Sequence, residues 1–387
     1  MVRTRFIHSS DLQLGMTRAF LKDDGQVRFA DDRRSAITRL GELARKHGAE
    51  FIVLAGDVFD KPSVDDATWQ RAAAALAALP VPTFIVPGNH DPLSADSLYR
   101  DEERRLPDPV RVLAGYEPVA VPGLDSVEVA GAPVPTKDPG RDLVAEALDH
   151  LGPTDSVRVL VGHGPVTDFG DHAAERIDID RAERALDERV VDYVALGDTH
   201  SATRIGETGK IWYSGAPEST DFHRVDAGAA EGKGESNSGK ALLVDVDKEP
   251  GRPADVAVEE LEVGRWRLEE LSAELNSAGD VERFLERLDG YPPERERVVV
   301  RYALSGALSL EERVRLDEGL ARLAPRFSNL YPHERYMDLH TAPTEGEIDD
   351  LQITGFTRDA LDELVERGED GAVRLLVRLL AAERKES

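Results

Sequence analysis

The chain has 387 residues, 48 basic against 75 acidic side chains for a net charge of −27, and no cysteine. That length suits two or three domains, and the absence of thiols excludes disulfides, thiolate metal sites and a cysteine nucleophile. The strong acidity argues against a broad basic footprint for nucleic acid, so any such role must come from a local site.

No run reaches the roughly 18 apolar residues of a membrane-spanning helix. The start, "MVRTRFIHSSDLQLG", has no long apolar region with a small-residue cleavage site. The expectation is a cytoplasmic protein with no membrane partner.

The first half alternates short apolar runs with helix-like stretches. "RFIHSS" (5–10), "FIVLAG" (51–56), "PTFIVPG" (82–88), "VRVLVGHG" (157–164) and "DYVALGD" (192–198) each end at glycine or polar residues. Between the first three lie "RRSAITRLGELARKHG", expected to stop at Gly48, and "DDATWQRAAAALAAL", stopped by Pro80. Strands that are apolar throughout and separated by helices predict a sheet covered on both faces. Shorter strands and turns are expected over 110–135 and 203–263, including "IWYSGAPE", "KALLVDVD" and "VAVEELEV". The Gly/Ser-rich tract "DAGAAEGKGESNSGK" (226–240) predicts a mobile loop.

After Gly264 the pattern changes. "RWRLEELSAELNSAGDVERFLERLDG" predicts helix, "ERVVVRYALSG" strand, "LSLEERVRLDEGLARLAP" helix and "RYMDLHTAP" a second strand, together a small α+β module. Two helices close the chain, "TRDALDELVERG" and the amphipathic "GAVRLLVRLLAAERK", suited to docking on a partner or on the chain's own body. The expected division is 1–264, 265–345 and 346–387.

The polar residues that follow the apolar strands form a set. They are Asp11 and Gln13 after the first, Asp57 and Asp60 after the second, and Asn89, His90 and Asp91 after the third; His163 and then Asp198 and His200 follow the later two. Ligands of open α/β sheets sit beyond the carboxyl ends of strands, so these tips can converge on one cleft. Carboxylates, an amide oxygen and imidazoles suit divalent Mn, Fe or Zn, and seven such groups exceed the needs of one ion. Two ions about 3.5–4 Å apart would use them, activating water and clamping a phosphate. His90 is then expected to face the substrate as a proton donor, with Asp91 orienting it and Gly88 allowing a sharp turn. His8, inside a strand, reads as a packed group, and Asp60 as either a turn cap or an orienting group.

These blocks resemble the calcineurin-like metallophosphoesterases, whose signature is D-x-H, G-D-x-x-D, G-N-H-D/E, a later G-H and a G-H-x-H. Within that superfamily, "FIHSSDLQLG" and "DYVALGDTH" followed by "WYSGAPE" are similar to the DNA repair exonuclease branch, the SbcD-like nuclease subunits. The resemblance covers the first 220 residues by motif and the remainder by topology only. It implies a four-layer αββα sandwich followed by a small α+β capping module and terminal helices. It further implies one ion on Asp11, Asp57 and His200 with Gln13 contributing, and another on Asp57, Asn89, His163 and Asp198. The implied activity is Mn²⁺-dependent hydrolysis of DNA, and the implied partners are DNA and an SbcC-like ATPase at the terminal helices; the chain's acidity adds a homodimer as a further expectation, since dimerisation is one route to DNA affinity.

Two positions depart from the pattern: Gln13 and Asp198 each stand where the family has histidine. An amide is the weaker ligand and a carboxylate a good one, so the exchange favours the second ion over the first. Two other readings use the same residues: a phosphodiesterase or phosphatase acting on a small molecule such as a cyclic nucleotide, and a weakly active scaffold for an ATPase.

Overall fold

A computed structural model describes residues 1–101, 104–167, 176–225, 235–292, 295–344, 346–347, 355–369, 371–373 and 375–376. The chain forms two compact units, one of Met1–Ala19, Asp23–Asp221 and Gly234–Trp266, the other of Phe20–Lys22, Phe222–Lys233 and Arg267–Ser387.

The first unit holds two six-stranded sheets. Its strands are β1 (Val2–Ser9), β2 (Phe51–Ala55), β3 (Thr83–Val86), β4 (Val110–Val112), β5 (Val119–Ala120), β6 (Val127–Ala132), β7 (Val157–His163), β8 (Tyr193–Gly197), β9 (Thr203–Ile205) and β10 (Ile211–Tyr213). After β11 (His223–Arg224), which belongs to the other unit, come β12 (Lys240–Lys248) and β13 (Asp255–Glu262). One sheet runs β13-β12-β1-β2-β3-β4 and the other β5-β6-β7-β8-β10-β9.

Alternation along each strand sorts its side chains between two faces. Phe6, Phe51, Val53, Phe84 and Val86 point between the sheets, where they meet Val159, Val161, Tyr193 and Ala195. Ile7, Ile52, Leu54 and Ile85 point outward, under Ile37 and Leu40 of α1 (Asp23–His47) and Trp69 and Leu76 of α2 (Asp66–Ala77). On the far side Leu160, Val194 and Leu196 pack beneath Val144 and Ala147 of α3 (Leu143–His150) and Ala182 and Ala185 of α4 (Ile179–Asp187). The result is an αββα sandwich, as the family resemblance implied. Strands β1, β2 and β3 run parallel, as do β7 and β8, so within each sheet their carboxyl ends share one edge.

The second unit is built on β14 (Arg267–Leu275), β15 (Val298–Leu308), β16 (Asn329–Pro332) and β17 (Asp338–Thr341), all parallel, with β11 at one edge. Helices α5 (Ala278–Asp289) and α6 (Leu310–Leu323) cross between strands and bury Phe284, Leu288 and Leu316 against Leu271, Val300 and Leu304. A further helix, α7, spans Phe356–Glu366. The expected last helix lies mostly outside the described residues.

One expectation fails here. "RLEELSAEL" reads as helix because Leu268, Leu271 and Leu275 fall at helical spacing among helix-favouring residues, yet it is strand β14. Nine consecutive residues pair in parallel with β15, and that pairing overrides local propensity. Buried Glu269 is satisfied by Arg267 and Tyr291, and buried Glu270 by Arg224 and Arg301. Helix α5 starts only after Ser277, whose hydroxyl accepts from the Asp280 amide.

Candidate metal centre

The loops after β1 and β2 are stitched together by their backbones. Asp11 N–H donates to Gly56 O at 3.0 Å, Gln13 N–H to Asp57 O at 2.9 Å, and Leu14 N–H to Val58 O at 2.9 Å. These bonds hold unusual geometry. Asp11, Gln13 and Asp57 lie at φ of 53°, 51° and 54°, and Asp198, beyond β8, at 103°. Such left-handed backbone costs a non-glycine residue about 1–3 kcal/mol and persists only where its surroundings impose it. Four of the seven expected ligands are strained in this way.

The motif glycines are explained by close approach. A Cβ on Gly56 would lie 2.1 Å from His163 Nδ1, and one on Gly88 2.2 Å from Asp57 Oδ1. Gly88 does not have the positive φ of a sharp glycine turn, so the expected reason for it is corrected: the Asp57 carboxylate needs the space.

The seven side chains meet in the first unit. Around His163 Nε2 stand Asn89 Oδ1 at 3.3 Å, Asp57 Oδ1 at 3.4 Å and Asp198 Oδ1 at 3.8 Å. Its Nδ1 faces the Ala55 carbonyl at 2.8 Å, an acceptor only, which places a proton on Nδ1 and leaves Nε2 for the cleft. Asp11, Asp57 and His163 are all buried and bring their ligand atoms within 4.8 Å of one another, close enough to share a metal ion. His200 Nε2 lies 3.7 Å from Asp11 Oδ1, and the Asp198 amide donates to the Asp11 carboxylate at 3.2 Å. Gln13 Nε2 donates to Asp57 Oδ2 at 3.0 Å, which leaves its Oε1 buried with no hydrogen-bond partner among the described residues.

The electrostatics fit a cation. Burial alone would lower the His163 pKa, but the carboxylates of Asp57, Asp11 and Asp198 raise it to about 9. At His200 burial is likewise outweighed, by Glu235 and Asp11, and the pKa again reaches about 9. A proton thus sits on each imidazole because oxygens crowd it, and a dication answers the same field. The orphaned Gln13 Oε1 is a further oxygen free to ligate. The donor set therefore suits divalent metals.

His90 and Asp91 differ from expectation in one respect. Asp91 makes no bond to the His90 ring. Its Oδ1 accepts from the amides of Gly88 at 2.7 Å and Asp57 at 3.2 Å, and its Oδ2 from the Phe59 amide at 3.1 Å and the Tyr99 hydroxyl at 2.5 Å. A carboxylate ringed by four donors has no lone pair to spare for an imidazole. The His90 ring is instead fixed by Nδ1–H donating to the Asp60 carbonyl at 2.8 Å, and among the described residues Nε2 has no partner. Asp60 thus contributes its backbone to the His90 ring.

Sequence inspection missed Glu235 and Tyr99. Glu235 lies in the tract expected to be a mobile loop, of which 226–234 fall outside the described residues, yet it is itself buried with Oε1 3.0 Å from His200 Nδ1. No local pattern marked it, because its partner is 35 positions away. Tyr99 follows the G-N-H-D block closely, and a phenol there was a readable signal. His8 is a packed group, its ring held between the Tyr193 hydroxyl and the Leu196 carbonyl, with burial lowering its pKa to about 3.

An αββα sandwich with imidazoles and strained aspartates gathered beyond the ends of its parallel strands is the architecture of a metallophosphoesterase. The model of the calcineurin-like phosphoesterase family matches residues 4–202, and the chain belongs to that family of hydrolases. Among curated relatives, the SbcD subunit of the nuclease SbcCD from Escherichia coli (strain K12) is 25% identical over 253 residues, spanning 56% of this chain and 61% of the relative. The DNA double-strand break repair protein Mre11 of Archaeoglobus fulgidus is 29% identical over 242 residues, 57% of this chain and 52% of the relative. The chain thus spans little more than half the length of these relatives. A solved dimetal phosphatase from Danio rerio aligns with 67% of this chain and 98% of its own, at 10% identity and a TM-score of 0.39. Among the described residues no helix is long and apolar enough to cross a membrane.

Proposed function

We propose that this chain is a DNA nuclease that hydrolyses phosphodiester bonds with two divalent cations, manganese foremost and iron or zinc as alternatives. Asp11, Asp57, His200 and Gln13 would hold one ion and Asp57, Asn89, His163 and Asp198 the other, with Asp57 between them. The observation that carries this reading is His163: its Nε2 faces three ligand oxygens while Nδ1 is committed to Ala55 O. When bound, such ions lower the pKa of water toward neutrality and neutralise charge on the phosphate.

The protein's own groups supply the rest. The stitched loops fix the carboxylates before substrate arrives, so no reorganisation is needed at the moment of reaction. His90, with Nδ1 anchored on Asp60 O, presents Nε2 to protonate the leaving oxygen. Asp91 locks the Gly88, Asp57 and Phe59 amides that shape the cleft.

DNA as the substrate is supported by the two relatives, one a nuclease and the other a DNA double-strand break repair protein. With a net charge of −27, DNA affinity would lean on the bound cations and on a less acidic partner. The name SbcCD denotes a complex, and we assign this chain the nuclease role beside an SbcC-like ATPase, acting in the cytoplasm, with a homodimer as a further expectation. Incubation with Mn²⁺ and either linear DNA or bis-p-nitrophenyl phosphate tests the reading. Degradation of DNA supports it; turnover of the small ester alone points to a small-molecule phosphodiesterase; inactivity on both points to a scaffold.

A further inference from the structure

The contact between Glu235 and His200 is absent from the family signature, and it engages the one expected ligand of the first ion that is neither acidic nor an amide. His200 is 28% exposed at its side chain, whereas Glu235 is 6% exposed. The buried member is thus the carboxylate, which must be held in place by more than the imidazole. It is: Oε2 accepts from the Thr220 amide at 2.8 Å, and Oε1 receives both the Thr220 hydroxyl and the His200 ring. Thr220 is itself 2% exposed. These contacts all lie within the first unit.

A carboxylate fixed from behind in this way imposes one tautomer on the ring. Nδ1 carries the proton, because Oε1 can only accept and the Thr220 hydroxyl, which also lies against Nδ1, gives its own hydrogen to Oε1; Nε2 is then the unprotonated nitrogen of the neutral ring, and it is the one lying 3.7 Å from Asp11 Oδ1. His163 achieves the same state differently, with a neutral carbonyl at Nδ1. A charged acceptor at Nδ1 raises the basicity of the ring it holds. We infer that Glu235 is a positioning residue that fixes the tautomer and raises the basicity of His200, offsetting the weak amide at Gln13 in the same ion's ligand set.

The inference rests on the two-ion reading above, and its test separates the two. Mn²⁺ binding to the full chain is measured by calorimetry for wild type, Glu235→Ala and Glu235→Gln, with the metal-free melting temperature of each as a folding control. Glutamine keeps an oxygen that can accept from Nδ1–H; alanine does not. The expected result is two ions on wild type, about 10–100-fold weaker binding of one ion only in Glu235→Ala, and recovery of most of that loss in Glu235→Gln. Two ions bound to Glu235→Ala with wild-type affinity overturn the inference alone. So does a glutamine variant that melts like wild type yet binds as poorly as the alanine variant. A wild type that takes up no Mn²⁺ overturns the two-ion reading and this inference with it.

Discussion

Asp91 Oδ1 accepts a hydrogen bond from the backbone amide of Asp57 at 3.2 Å, and this, not a bond to the neighbouring imidazole, is what the last residue of G-N-H-D does. One buried carboxylate joins the loop after β2 to the loop after β3, with Gly88, Phe59 and Tyr99 as its other donors. Burial and the nearby Asp57 raise its pKa to about 7, against the pull of those donors. Asp91→Ala leaves three buried amides and the half-buried Tyr99 hydroxyl without their acceptor, at about 1–3 kcal/mol for each buried donor before relaxation. A loss of more than about 3 kcal/mol in urea unfolding is expected. A variant as stable as wild type would show that Asp91 does not hold these loops together.

His90→Ala should behave in the opposite way. The ring is partly exposed, and among the described residues its nitrogens have a single partner, the Asp60 carbonyl. Its removal is expected to leave Mn²⁺ stoichiometry and melting temperature unchanged while turnover of DNA falls about 10²–10⁴-fold. Equal rates for variant and wild type would remove His90 from the role of proton donor.

The contrast between these two residues shows how far the sequence could be read. Strands β1, β2, β3, β7 and β8 were legible because each is an apolar run too short for a helix and ends at glycine or a polar tip. The candidate ligands were legible because each sits within a few residues of such an end. Three of Asp91's four partners were not, because they are backbone amides brought in by loop geometry, which leaves no trace in side-chain identity. Glu235 was hidden for a related reason: it lies in a glycine-rich tract whose composition signals a loop. Strand β14 was misread because its pairing with β15 is decided by tertiary packing, while Leu268, Leu271 and Leu275 satisfy a helical period.

Gly88→Ala should disable the centre through Asp57. The added methyl would stand 2.2 Å from Asp57 Oδ1 and 2.5 Å from Asp57 N, so the carboxylate cannot stay where it is. Because Asp57 is assigned to both ions, the expected outcome is loss of both from protein recovered by gel filtration, read by elemental analysis. Retention of two equivalents of Mn²⁺ would contradict the shared role of Asp57.

Between pH 7 and 9 the metal-free fold should weaken. His163 and His200 titrate near 9 in the folded chain, above the ordinary histidine value of 6.5. Groups with raised folded pKa stabilise most below their unfolded pKa, and that contribution fades as pH climbs through the folded value. Asp91, at about 7, finishes losing its proton at the lower end of this window and adds to the same fall, whereas His8, at about 3, changes below it. The melting temperature in EDTA is therefore expected to fall from pH 7 to 9. In saturating Mn²⁺ the cation replaces the proton, and the decline should disappear or reverse. A flat profile in EDTA would count against the charge assignment of the two imidazoles.

The two departures from the family pattern should make the ions unequal. Gln13 offers one amide oxygen, with its nitrogen already donating to Asp57, whereas Asp198 brings a full negative charge to within 3.8 Å of His163 Nε2. Opposite charge strengthens binding at the second ion, and the first gives up an imidazole for a weaker donor. Calorimetric titration with Mn²⁺ is expected to resolve two steps, and Gln13→His to tighten the weaker step by about tenfold, or about 1.4 kcal/mol. Asp198→Asn should weaken the tighter step without moving the other. Two steps of equal affinity in wild type, or a Gln13→His variant that tightens neither, would mean that these residues do not set the balance between the ions.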